Sequence, residues 1–335
     1  MNMSSLGDLA YSMMLRTRSS QFKQQMSVLT EELSTGRVSD VRSRTGSDYA
    51  YLAEIERNST LLDSYALATS EVKTRAEVTQ THLEKVQNTL SGFSDTMATT
   101  RLSPLPAARE HAAVEARQNL DKVIATLNAS SAGQHLFSGV ATDDAPLAGA
   151  DVLLTELRAE VSGLTLADDV ELAVSEWFAD PNGFEAAMYR GSDNRLQPVQ
   201  IGAAEHVSVS ITAKDEEFRA VLKSLVLPVL AMDTSLSLSE AAQADLMNSA
   251  HTHTLNANGG MTTLRGELGF AEARIEEVAT RNASARAGLE ISRNNLIGAD
   301  PYETAVRLEE VQAQLETLYT LTARSSRLSL LNFLS

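Results

Sequence analysis

Residue types that could do chemistry are present, but their spacing does not suit it. His251 and His253 lie two positions apart, which on a helix points the two rings to different faces and makes a poor pair of metal ligands. Adjacent acids could serve acid–base catalysis if a pocket raised the pKa of one member, but nothing in the sequence places these pairs in a pocket: Asp143–Asp144, Asp168–Asp169 and Glu276–Glu277. We therefore expect neither a metal site nor a carboxylate catalyst.

Nucleophile and phosphate-binding motifs do not occur either. Ser138 precedes Gly139, but the nucleophile elbow also needs a glycine two residues before the serine, and that position is Leu136. Neither common glycine-rich phosphate loop is present. The chain has no cysteine, which excludes disulfides and thiolate metal sites. The sequence predicts no catalytic residue, no cofactor and no enzyme activity.

Charge and hydropathy exclude two further classes of partner. The formal net charge is -16, whereas nucleic-acid binding needs a basic face that neutralises phosphates. No apolar run approaches the roughly 20 residues of a membrane span. The first residues also lack the basic and apolar regions of a cleaved secretory signal. We expect no nucleic-acid partner and no membrane partner.

The strongest pattern lies at the two ends of the chain, where apolar residues recur at steps of three and four and predict amphipathic, coiled-coil-like helices. In the C-terminal segment this seam comprises Leu308, Val311, Leu315 and Leu318. A second set near the C-terminus comprises Leu328, Leu330, Leu331 and Phe333. The N-terminal stripe comprises Leu6, Leu9, Met13, Phe22, Met26, Leu29 and Leu33. These are the predicted subunit-interaction residues.

Two interpretations of the terminal stripes are open. Both helices could fold back onto the protein's own body, which is the common arrangement. Alternatively, they are partly disordered in the monomer and become ordered against terminal helices of neighbouring subunits. Ordering a residue costs roughly 1–2 kcal/mol of backbone entropy, so exposed helices without a partner would fray. We favour the second interpretation because glycine-marked loops separate both ends from the long central helices.

Long proline-free spans rich in strong helix formers predict the rest of the architecture. We expect a mainly α chain: an elongated antiparallel helical bundle with coiled-coil-like terminal helices and a small inserted α/β module. The predicted assembly domain is 1–44 with 300–335, the rod domain is 45–149 with 226–299, and the outer module is 150–225. Long helices are expected at about 48–100 and 238–296, the second loosened at glycines 259, 260, 266 and 269. The helical segment that begins at Asp215 is expected to be interrupted at Pro228. Alternating β-branched residues predict strand structure around Val199 to Ile211.

Several short segments resemble a known family. Residues 33–38, LSTGRV, resemble the LSSGKR(I/V) signature after the first helix of bacterial flagellins and their relatives. Residues 297–305, IGADPYETA, are similar to the family's loop before the last helix, and residues 323–334, ARSSRLSLLNFL, resemble its closing signature. The segments occur in the family's order and at the corresponding ends. The chain is identified by resemblance as a member of the flagellin superfamily.

Further segments resemble the hook–filament junction proteins of that superfamily. They are Ser12-Met13-Met14, the turn QHLFSGVATDD at 134–144, and Tyr189-Arg190-Gly191 before a strand-rich region followed by Phe218. The resemblance implies a structural protein of the bacterial flagellum that joins the hook to the filament. A flagellin or minor flagellin is the nearer alternative, and a helical-bundle sensor or signalling domain is the distant one.

The resemblance also implies location and partners. The terminal helices would line a tube, where a ring of copies of this chain meets the preceding hook-associated protein on one side and flagellin or the filament cap on the other. The protein would be extracellular and exported unfolded through the flagellar secretion channel, which fits the absent signal peptide and cysteines. An export chaperone would bind the C-terminal helix along the seam of Leu308 to Leu318.

Overall fold

The computed structural model describes residues 3–46, 49–103 and 105–334, and the side chains of these residues except 3–9, 45 and 325–334. The described part is mainly α. Its helices are α1 (Met3–Thr35), α2 (Val41–Thr45), α3 (Tyr49–Leu102), α4 (Pro106–Leu127), α5 (Ala150–Glu160), α6 (Ala167–Ala179), α7 (Ala186–Met188), α8 (Glu216–Ala231), α9 (Glu240–Ile297) and α10 (Pro301–Leu334). A π-helical turn spans Pro181–Glu185. The prediction of a mainly α chain with small strand modules is confirmed.

The strands form two small antiparallel pairs. Strand β1 (Ser130–Ser131) pairs with β2 (Gln134–His135). Strand β3 (Val199–Gly202) pairs with β4 (Glu205–Val207), and the register shifts between Gln200 and Gly202. The predicted strand structure is therefore found from Val199 to Val207, whereas Val209 and Ile211 lie in irregular backbone.

The chain divides into two compact units. The first comprises Met1–Asp63 and Ala283–Ser335, in which α1 packs against α10. Beyond this helix pair, Leu52, Ile55 and Ile297 are buried in the same unit. The three-part division predicted from the sequence stays a prediction.

The second unit, Ser64–Asn282, contains the main hydrophobic core. Helix α4 packs against α8, and α5 and α6 pack against each other. Four fully buried rings anchor the core: Phe93, Phe137, Phe184 and Phe218. The only tryptophan, Trp177, meets Phe178 and Phe184 edge-on, with ring centroids 5.2 and 6.2 Å apart.

Two predicted helix interruptions are wrong. Pro228 lies inside α8, although proline lacks the N–H that an interior helical residue donates. It sits in the last turn, where one bond is lost while buried Leu225, Val226 and Leu227 hold the helix in the core. Helix α9 also runs unbroken through its glycines, because each costs only about 1 kcal/mol relative to alanine and packing of the helix exceeds that.

No helix in the described ranges is both long and apolar enough to cross a membrane.

Candidate assembly surface

The two terminal helices form one antiparallel pair. Gly36, directly after α1, accepts a hydrogen bond from Ala299, which lies two residues before α10. Further along the pair, Lys23 lies over the ring of Tyr319, with 5.9 Å between its Nζ and the ring centroid. The start of α10 therefore lies beside the end of α1. Each helix buries part of its apolar seam on the other, so the chain supplies a first partner for each stripe.

The predicted C-terminal seam lies partly inside this pair. Leu315 and Leu318 retain only 8% and 7% of their surface, whereas Leu308 and Val311 are half-buried. On α1, the half-buried members are Phe22, Met26 and Leu29. Leu15, which lies outside the predicted N-terminal stripe, is buried.

Other predicted residues face solvent or fall outside the described side chains. Met13 is 65% exposed and Leu33 is 40% exposed. Six predicted residues lie in α1 or α10, but their side chains are outside the described part of the chain: Leu6, Leu9, Leu328, Leu330, Leu331 and Phe333. The role of all the predicted interaction residues stays a prediction.

The helix pair also exposes apolar side chains that lie outside the predicted seams. Met14 and Leu321 are 51% and 47% exposed, and Tyr319 is 49% exposed. The remaining members are Tyr11, Val28, Tyr302 and Val306. These seven residues with Met13 and Leu33 are called the exposed apolar set. A sequence signal existed for Leu321, which lies three residues after the predicted Leu318, but the periodicity was read as one seam per helix.

A backbone clip holds the inner ends of the two helices together. Ala299 donates its N–H to the Gly36 carbonyl and Val38 donates to the Ile297 carbonyl, both at 3.0 Å. Gly36 has φ +67°, the left-handed conformation that favours glycine after a helix, and its N–H bonds the Glu32 carbonyl at 2.8 Å. The clip joins the LSTGRV and IGADPYETA segments in space.

The start of α10 is fixed by its own residues. Asp300 caps the helix, because its Oδ1 accepts hydrogen bonds from the N–H groups of Tyr302 and Glu303 at 2.8 and 3.1 Å. Pro301 follows as the first helical residue, where its missing N–H costs nothing. Buried Thr304 lies in the same turn. The direction in which α10 leaves the clip is therefore set locally.

Lys23 and Tyr319 make a polar contact across the pair. Hydrogen bonds from Lys23 and then Ser19 lower the pKa of the Tyr319 hydroxyl below its ordinary value. A cation over an exposed aromatic ring contributes about 0.5–1 kcal/mol. This contact supports the antiparallel register of the two helices.

The second unit brings its signature segments together. Ser192 donates its N–H to the Ser138 carbonyl at 2.9 Å, and Val140 donates to the Asn194 carbonyl at 3.1 Å. Gly139 has φ +64°, and a Cβ there would lie 2.6 Å from the Asn194 carbonyl oxygen and 2.8 Å from that of Ser192. The glycine is therefore required by both its conformation and its neighbours.

The neighbouring residues complete this junction. The Tyr189 hydroxyl donates to the Ser192 carbonyl at 3.0 Å, and Phe137 meets Phe218 edge-on at 5.5 Å. Burial raises the pKa of Tyr189 to about 12, with the nearby Asp215 carboxylate adding to the effect. The QHLFSG turn, the Tyr-Arg-Gly segment and Phe218 thus form one packed site, whose role in this structure is to hold the second unit together.

The histidines take structural positions. His253 Nε2 lies 2.8 Å from Glu171 Oε1, and the Ser249 hydroxyl donates to the same carboxylate. Burial alone would raise the pKa of Glu171. The hydrogen bonds from Ser249 and His253, and then the charges of His253 and Lys223, outweigh burial and hold that pKa below its ordinary value. His251 is on the same helix without sharing this site. Among the residues described, no three His, Asp or Glu side chains converge as a metal site.

Together, the paired terminal helices and the long helices of the second unit define a mainly helical protein whose two terminal helices form one antiparallel pair. Family models agree: the bacterial flagellin N-terminal helical region matches residues 8–142, and the bacterial flagellin C-terminal helical region matches residues 253–334. These matches cover well over half of the 335 residues. The chain belongs to the bacterial flagellin family.

Solved structures from three bacteria are among those that match the chain. A Vibrio parahaemolyticus protein described as a flagellar hook-associated protein has 15% identity and a TM-score of 0.54, over 76% of this chain and 100% of that one. FlgL of Xanthomonas campestris has 11% identity and a TM-score of 0.51, over 72% and 99%. FlgL of Bacillus cereus has 14% identity and a TM-score of 0.49, over 73% and 99%. No curated protein sequence matches the chain.

Proposed function

We propose that the protein is a structural subunit of the bacterial flagellum that joins the hook to the filament, the role of hook-associated protein 3. It assembles through α1 and α10. The observation that carries this proposal is the exposed apolar set on a helix pair formed by the two terminal regions of the flagellin family. The QHLFSG and Tyr-Arg-Gly segments, which resemble those of junction proteins, support the junction role over that of the filament subunit.

The exposed apolar set gives the assembly a driving force. Fully burying a large apolar side chain contributes about 1.5–3 kcal/mol, and these side chains are roughly half exposed, so each can still contribute on the order of 1 kcal/mol. Nine such residues supply several kcal/mol per subunit before the cost of association is subtracted. That amount suits a contact repeated around a tube better than a tight isolated dimer.

The proposed partners follow from this role. Copies of the chain form a ring, the preceding hook-associated protein contacts one side, and flagellin and the filament cap contact the other. An export chaperone binds α10 before assembly. Leu315 and Leu318 are buried against α1, so chaperone binding along that seam requires the helix pair to open. The protein acts outside the cell after export through the flagellar channel.

A filament-forming flagellin is the second candidate, because the matching family models describe flagellins. Electron microscopy separates the two. The purified protein is incubated alone under conditions that polymerise flagellin, and again with hooks that lack their junction zone. A junction protein forms no long filament alone but adds a short zone to hook ends that then accepts flagellin. Long filaments from the protein alone would establish the flagellin alternative.

A further inference from the structure

Charge is segregated along the α1/α10 pair. The distal half consists of residues 10–24 of α1 and 317–324 of α10, and it carries Arg16, Arg18, Lys23 and Arg324 with no acid. The proximal half, next to the clip, consists of residues 25–35 and 301–316. It carries one base, Arg307, and six acids: Glu31, Glu32, Glu303, Glu309, Glu310 and Glu316. The formal charges are therefore +4 in the distal half and -5 in the proximal half.

This arrangement does not stabilise the pair itself. Opposite charges on facing helices attract each other, but here each half carries the same sign on both helices, so the chain's own charges repel at each level. The pair's one ion pair among the described residues is Arg307 with Glu303, inside the proximal half at 2.5 Å. The side chains of Arg16, Arg18 and Arg324 are exposed, and none of the described ion pairs uses them.

We propose that these charges set the register of a second copy of this chain, shifted along the helix axis so that its acidic proximal half lies beside the basic distal half of the first. The centres of the two charge groups on α1 are about 12 residues apart, which gives a shift of roughly 20 Å. Unshifted parallel copies place like charges together, so electrostatics disfavours them. This inference rests on the proposed self-assembly and adds the register and its salt dependence.

A shifted contact is heterologous. Each copy uses its distal half toward one neighbour and its proximal half toward the next, so copies can add in succession until a ring closes. The exposed apolar set lies on both halves, with Met14 and Leu321 in the distal half and Val28 and Val306 in the proximal half. Charge thus selects the shift, and apolar contact adds affinity at that shift.

Two charge variants test the shift by complementation. Arg16→Glu with Arg18→Glu reduces the distal charge from +4 to 0 and leaves the proximal half unchanged. Glu309→Lys with Glu310→Lys reduces the proximal charge from -5 to -1 and leaves the distal half unchanged. Each variant alone lacks one complementary face. In an equal mixture, the intact basic half of the second variant can meet the intact acidic half of the first.

Sedimentation velocity at about 10 mM NaCl, where the Debye length is about 30 Å, measures the association of each sample. We expect the wild type to form species larger than a dimer, and each variant alone to associate roughly 2- to 30-fold more weakly. The mixture should regain the wild-type affinity but stop at a 1:1 dimer, because neither outer face is complementary. At about 1 M NaCl, where the Debye length is about 3 Å, wild-type association should weaken.

Matched controls carry the same net charge changes outside the helix pair. Lys85→Glu with Arg101→Glu matches the first variant, and Glu110→Lys with Glu160→Lys matches the second, since all four side chains are exposed on other helices. Both controls should associate like the wild type. Circular dichroism should show unchanged helicity in all variants, so that weaker association is not loss of folding.

Three results would overturn the inference. They are a wild type that stays monomeric at low salt, a mixture no stronger than its components, and controls that weaken association as much as the variants. Binding of the wild type to phosphatidylglycerol vesicles, lost with Arg16→Glu and Arg18→Glu, would instead assign the basic half to an anionic membrane. None of these results decides whether the protein joins hooks, which the hook-end assay measures separately.

Discussion

Leu318 and Leu321 provide a matched pair of positions on α10, one inside the helix pair and one on its surface. Leu318 is 7% exposed and Leu321 is 47% exposed. Truncating a buried leucine to alanine costs about 2–5 kcal/mol, and a site between only two helices belongs at the low end, about 2–3 kcal/mol. Leu321→Ala should change the free energy of unfolding by less than about 0.5 kcal/mol. Both replacements favour the helix equally, so helix propensity cancels.

Hydrogen exchange of α1 amides measures the effect on the opposite helix, which carries no mutation. A loss of 2–3 kcal/mol raises the population of the open pair roughly 30- to 150-fold, and the exchange rates of protected α1 amides should rise by that factor in Leu318→Ala. In Leu321→Ala they should stay within about twofold. Unchanged α1 exchange in Leu318→Ala, or equal acceleration in both variants, would refute the packing of these two helices as described.

The other predictions concern the second unit and incorporation. Gly139→Ala should lower the free energy of unfolding by more than about 2 kcal/mol, because the new Cβ adds both backbone strain and contact with two carbonyl oxygens. Gly133→Ala, where φ is +81° and nothing lies within 4 Å of the new Cβ, should lower it by about 1–2 kcal/mol through strain alone. Thermal unfolding measures both, and equal losses would contradict the packing around Gly139. The lowered pKa of Glu171 means that its stabilisation is present above the ordinary glutamate pKa, about 4.3, and is lost as pH falls through its folded value, so the stability difference between wild type and Glu171→Gln should shrink on acidification. A difference that is constant with pH would contradict this. Replacing Leu315 and Leu318 together by Asp should abolish incorporation at hook ends while leaving the second unit folded by circular dichroism; normal incorporation would count against the seam.

Local patterns predicted most of the secondary structure. Apolar periodicity predicts the seam at Leu315 and Leu318. Gly36 predicts the end of α1, because glycine adopts without strain the left-handed backbone conformation that commonly follows a helix. Such signals depend only on residues within one or two helical turns of each other. The positions of the helices and of the buried seam can therefore be predicted from short stretches of sequence.

Contacts between residues far apart in the sequence could not be predicted from these local patterns. The bonds of Gly36 and Val38 with the segment before α10 join residues more than 250 positions apart, and no local periodicity encodes them. The helix retained around Pro228 reflects burial in the core, which outweighs a local preference. Gly139 and Tyr189 each lie in a segment that resembles a family signature, so the sequence singled out both segments. That the two segments contact each other is seen only in the folded structure.

The most direct test of the proposed function places surface variants on hooks that lack their junction zone. Met14→Asp with Leu321→Asp changes two exposed members of the apolar set, so hydrogen exchange should show the helix pair intact. Electron microscopy should then show that the wild type adds a short zone that accepts flagellin and that the double variant does not. A double variant that incorporates like the wild type, or a wild type that adds nothing to hook ends, would contradict assembly through this surface.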